Sequence, residues 1–298
     1  MLTFFAILQA VGFKFVGLTE RRLLESGVSP FAVLSLYRWA LIPALIWSAF
    51  FITPSVLQHV IVTPYALSYL LFIAVAWNTQ AYLSCMLARE TYSAGLLSAI
   101  QIVMYLPTLL LVGTWFNNQS PSILSIISAV TISTALLIKP TPHKKISENN
   151  NNGTVWPLFI VVLVAFIRTS VDSLNSGATK EALKLMAPEV MLSLFVILTL
   201  TLTSIIFMLK KRNDHDIKRL KTNKNLAVWI PLVWFLASIP ETFGFAGLAI
   251  YTLVSIGSIT FIMDIISDLK NQRISWSART MIFICMTISG MAAACLTV

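Results

Sequence analysis

The chain has 298 residues, of which 57% are apolar and 11% charged, and its mean hydropathy is +0.82. A soluble domain carries about 25% charged residues, so the composition excludes an ordinary soluble domain and points to a membrane protein crossing the bilayer many times. The net charge of +9 is modest for such a chain, and the three cysteines, Cys85, Cys285 and Cys295, lie in apolar runs at a spacing that suits neither a metal site nor a disulfide framework.

A helix needs about 20 apolar residues to cross the hydrocarbon core. The first run, MLTFFAILQAVGFKFVGL, has no basic stretch before it and no small-x-small cleavage site, so it reads as a retained helix and not as a leader. Four more spans are predicted at 31–52, 64–88, 92–113 and 121–139, after the first at 2–22. The polar stretch PTPHKKISENNNNGT follows and reads as a solvated linker. Beyond it, spans are predicted at 155–176, 188–209, 226–247, 249–268 and 275–297. The expected fold class is therefore an all-α integral membrane protein with ten transmembrane helices. Its predicted domains are a five-helix repeat over 1–140, a linker over 141–154 and a second five-helix repeat over 155–298.

Strings that recur in order point to a repeat. Ser29–Leu36 reads SPFAVLSL and Ala187–Leu194 reads APEVMLSL, which places Pro30 and Pro188 at an offset of 158. At an offset of 157, Trp77 falls on Trp234 and Ser98 on Ser255; at 153, Asn118-Gln119 falls on Asn271-Gln272. A unit with five spans leaves the chain on the opposite side of the bilayer, so a second unit folded like the first must be inverted. Inverted repeats with a substrate site near midplane are a recurring plan of secondary transporters.

Lys14 in the first predicted helix, SGVSPFAVLSLYRW with Arg38 in the second, and YSAGLLSAIQIVMYLPTLLLV leading to Pro107 in the fourth carry a family resemblance. Together they resemble the drug/metabolite transporter superfamily, of the ten-helix EamA type, over nearly the whole chain. The second half departs from the pattern: Val196 stands where Arg38 would repeat, and TWFNNQSPS lacks the usual acidic residue. The resemblance implies a transporter of small metabolites, often an exporter of amino acids or related compounds, in the cell inner (plasma) membrane. It also implies both termini inside. Counting Lys and Arg in short loops puts them outside instead.

Candidate site residues are the polar groups inside apolar runs, because such groups are costly in lipid and face an interior or a cavity. At an offset of 158, Lys14 has Asp172 as its counterpart, and the two could hold the ends of a zwitterion; equally, Lys14 could snorkel toward Arg21 and Arg22. Asp172, Asn175 and Arg168 could likewise cap the end of the sixth helix. Arg38 reads as a snorkelling or structurally paired residue. Trp77 and Trp234 could wall a cavity, with Asn78, Gln80, Gln101 and Tyr105 adding hydrogen-bonding capacity. Glu241 follows Pro240, which frees the carbonyl of Leu236, so a broken helix carrying a coupling carboxylate is expected there. Asp264 is a second coupling-ion candidate, although Asp268 one turn on suggests a solvated helix end. No nucleotide, hydrolase or paired-histidine motif occurs, so neither catalytic nor metal-binding residues nor a cofactor are expected. The expected partners are a small-molecule substrate and the lipid bilayer, without nucleic acid, for a monomer or homodimer. The competing readings are a multispan scaffold and an intramembrane enzyme.

Overall fold

The computed structural model describes residues 2–91, 93–117, 123–138, 157–209, 214–247 and 261–295. The regular elements among them are helices. In chain order they are α1 (Leu2–Glu25), α2 (Pro30–Leu36), a 3-10 turn (Tyr37–Ala40), α3 (Leu41–Phe51), α4 (Pro54–Val62), α5 (Ala66–Glu90), α6 (Ala94–Asn117) and α7 (Ile123–Ile138). They continue with α8 (Leu158–Leu185), α9 (Pro188–Leu209), α10 (Asp214–Thr222), α11 (Lys224–Gly247), α12 (Phe261–Lys270) and α13 (Ala278–Cys295). The predicted linker and the first part of the predicted ninth span lie outside the described residues.

Local chemistry explains most of the boundaries. Ser29 is extended, and its hydroxyl accepts the Ala32 N–H at 3.2 Å, while Pro30 supplies a helical φ and lacks the N–H that would go unpaired there. Thr53 and Pro54 repeat the device at α4, where Thr53 Oγ1 accepts the Val56 N–H at 3.3 Å. The 3-10 turn lies just before Pro43, which cannot donate to the Trp39 carbonyl and crowds it, so the helix tightens there.

Several expectations are corrected. α4 and α10 fall where the sequence reading leaves loops. α8 runs to Leu185, well past the expected end at 176, and Lys184 and Glu181 form an ion pair at 2.6 Å on its last turns. The break expected at Pro240 is absent, since α11 is helical through both Pro231 and Pro240. Side-chain hydroxyls bridge successive turns there: Ser238 Oγ donates to Trp234 O and Thr242 Oγ1 to Ser238 O, each at 2.9 Å.

Among the described residues, five helices are long and apolar enough to cross a membrane: Pro30–Phe51, Ala66–Glu90, Phe159–Leu185, Pro188–Met208 and Lys224–Gly244. Their outer faces carry large exposed apolar side chains, among them Phe50 at 77%, Phe159 at 70% and Met208 at 81%. Such faces would aggregate in water and are solvated by lipid. The protein is an all-α membrane protein.

The chain forms two compact units, and they are not its two halves. The first comprises Met1–Cys85 with Leu174–Leu248, the second Met86–Ser173 with Ala249–Val298. In the first, α1 packs along α11, and α3 along α9. A Cβ on Gly12 would lie 2.8 Å from the Ala237 Cβ, so a hydrogen is all that fits at the α1–α11 crossing. Gly12→Val should therefore push the two helices apart and destabilise the protein by about 1–3 kcal/mol, read as a lower unfolding midpoint of the purified protein in detergent. In the second unit α7 packs on α13 and α6 on α12, around Ala99, Val103, Ala135, Ile265 and the edge-on pair Phe261–Phe283 at 5.9 Å.

Candidate functional site

The first unit holds an aromatic cluster built from four elements. Trp77 on α5 and Trp234 on α11 are 8% and 2% exposed, with ring centroids 4.9 Å apart. Tyr37, from the 3-10 turn, points its edge at both indoles, 5.1 Å from Trp77 and 5.4 Å from Trp234. Phe195 on α9 lies 6.4 Å from Trp234. The two tryptophans, 157 residues apart in the sequence, thus meet, but as packed rings, not as the walls of an open space.

Polar groups lie on these elements and on α1 and α8. Asn78, 5% exposed, donates to Ala74 O at 2.9 Å and Thr199 O at 3.2 Å, and its own oxygen accepts from Thr203 Oγ1 at 2.7 Å. This side chain fastens α5 to α9. Glu241 accepts from Gln9 Nε2 at 3.3 Å and so links α11 to α1. Lys14 is half-buried on α1. Gln80 and Asn175 each bury a side-chain oxygen with no hydrogen-bond partner among the described residues, which leaves acceptor capacity for a ligand or water. Arg38 sets its guanidinium over the Phe207 ring at 4.4 Å and the Trp39 ring at 5.4 Å.

One carboxylate escapes sequence reading altogether. Glu20 lies among Thr19, Arg21 and Arg22, a string that resembles a solvated helix end, but α1 continues to Glu25 and places Glu20 more than a turn inside. Its Oε1 accepts from the Tyr37 hydroxyl at 2.6 Å and from the Cys85 thiol at 3.7 Å. The usable signal was the continued apolar spacing of Leu23 and Leu24, both buried.

The second unit holds the remaining candidates. Asp172 forms an ion pair with Arg168 one turn earlier, at 3.2 Å. Lys14 and Asp172, which could pair around a zwitterion or serve only their own helix ends, belong to different units. Gln101 is half-buried on α6; Tyr105 is on the same helix, with its side chain outside the described ones. Asp264 and Asp268 are 1% and 0% exposed, so the expected solvated helix end is not found. Asp264 Oδ2 accepts from Ser98 Oγ. Asp268 caps the start of α6, accepting from Ala94 N at 3.0 Å, Gly95 N at 2.8 Å and Ser93 Oγ at 2.7 Å, with Arg273 at 3.5 Å. A carboxylate placed there meets both the unpaired amides and the positive end of the helix dipole.

A separate cleft of about 530 Å³ lies in the first unit between α4 and the α8–α9 turn, lined by Ser55, His59, Lys184 and apolar neighbours. It includes none of the candidate residues. No group of three or more His, Cys, Asp or Glu among the described residues could hold a metal ion.

No family model and no curated protein matches this sequence. One solved crystal structure, described only as that of a protein, superposes with a TM-score of 0.58 at 12% identity, covering 99% of this chain and 96% of its own. At that identity the likeness shows the fold alone. Fold and composition together define an integral membrane protein of helical class.

Proposed function

We propose that this protein is a secondary transporter, an exporter or facilitator, of a small polar metabolite such as an amino acid, built from ten spans in two inverted five-helix repeats. It would work by alternating access in the plasma or inner membrane. The observation that carries the reading is the contact between Trp77 and Trp234. Residues related by a two-fold axis touch only near that axis, and these two are equivalent in the repeat. Their neighbours obey the same relation: Tyr37 and Phe195 stand 158 residues apart, and each flanks the tryptophan of its own half. Helix pairing supports it as well, since α3 packs on α9, α6 on α12 and α7 on α13, each the counterpart of its partner in the predicted repeat. A binding site between repeats is the plan such symmetry serves. Around it, Asn78, Gln80, Asn175, Lys14 and Glu241 supply polar contacts suited to a zwitterion.

The test is a screen of amino acids and other small zwitterions for thermal stabilisation of the purified protein. A ligand at 100 times its Kd should stabilise by about 2.7 kcal/mol. The solute that does so should then exchange across liposomes containing the protein faster than across empty ones. If nothing stabilises and no solute exchanges, the scaffold reading replaces this one.

A further inference from the structure

We propose that Glu20 is a proton-binding site whose occupancy sets how Tyr37 holds the Trp77–Trp234 pair. The coupling role rests on the transporter reading above; the site itself rests on geometry. Several described carboxylates on the helices have a basic partner: Glu25 with Arg21 at 3.1 Å, Asp172 with Arg168, Glu181 with Lys184, and Asp268 with Arg273. Glu20 differs. Its two contacts among the described residues are the Tyr37 hydroxyl and the Cys85 thiol, neutral donors on residues 4% and 1% exposed. Those are also the titratable groups facing it. Of the other charged groups nearby, Arg21 is engaged by Glu25, Arg22 points outward, Glu241 on α11 is held by Gln9, and Arg38 covers Phe207. Lys14 stands six positions earlier on α1.

The two protonation states make different hydrogen bonds. An ionised Glu20 can only accept, and draws in the Tyr37 O–H through a short charge-assisted bond. A proton taken from water turns one oxygen into a donor and removes the charge, so the bond to Tyr37 loses its assistance; releasing the proton to water restores it. Tyr37 opens the 3-10 turn that precedes Pro43, where the helix is already irregular, and its ring edge touches both indoles. A mid-helix turn of this kind often marks a hinge. Proton occupancy at Glu20 is thereby transmitted to the buried Trp77–Trp234 contact, which is what a coupling site requires.

The experiment is a pH titration of tryptophan emission from the full-length protein purified in detergent, with protons as the only ligand. Wild type should show one reversible emission step between acid and alkaline pH. Glu20→Gln should lose the step, Tyr37→Phe should lose it while keeping the carboxylate, and Trp77→Phe should reduce its amplitude. A step that survives unchanged in Glu20→Gln, or a wild type with no step, overturns the proposal. Should Glu20→Gln fail to fold, Glu20→Asp decides: the shorter carboxylate should move the step along the pH axis, and an unmoved step also overturns it. A protein that shows the Glu20-dependent step but exchanges no solute in liposomes keeps the proton site and sinks the transport reading.

Discussion

Asp268→Ala should destabilise the protein by about 3–5 kcal/mol, the range for removing one partner of a buried ion pair. The carboxylate is wholly buried, and its loss takes one acceptor at once from the amides of Ala94 and Gly95, the Ser93 hydroxyl and the Arg273 guanidinium. Asp268→Asn keeps one acceptor and the side-chain shape but gives up the charge, so its cost should be intermediate. Unfolding of the purified variants in detergent measures both. A change of under 1 kcal/mol for alanine would mean that α6 starts without help from this cap.

Trp234→Ala should cost a similar amount, about 3–5 kcal/mol, as large-to-small changes of buried aromatic residues do. The indole is 2% exposed and touches three other rings, so its removal leaves a void bordered by Trp77, Tyr37 and Phe195. Because those rings hold one another in tilted and edge-on geometry, the effect should couple to Trp77→Ala. The double variant should then depart from additivity by about 0.5–1.5 kcal/mol, the worth of an aromatic pair beyond its burial. Strict additivity would show that the two indoles are merely adjacent, and would take with it the main support for a symmetric centre. Trp234→Phe, which keeps a ring in place, should lose much less than Trp234→Ala.

The sequence by itself determined the class of this protein and most of its helical map. Hydropathy and helical period are properties of residues one or two turns apart, so Pro30, Pro188 and the apolar runs announce their helices without reference to anything distant. The spacing of Trp77 and Trp234, 157 residues apart in strings of similar order, was legible for a similar reason, because the order of residues is read without reference to what packs on them. The short helices α4 and α10 were missed because each is under three turns long, too short for a membrane span, and α10 is also polar enough to pass for loop. Only the tertiary structure decided what the polar side chains meet. Glu20 finds Cys85 65 residues away, Asp268 finds Ser93 175 residues away, and Gln9 finds Glu241 232 residues away. In each case the partner is chosen by which helices pack, and close packing depends on small residues such as Gly12 against Ala237, whose meeting no local pattern records. The same cause explains why the compact units cut across the two halves of the chain: burial joins each helix to its neighbour in space, whatever its place in the sequence.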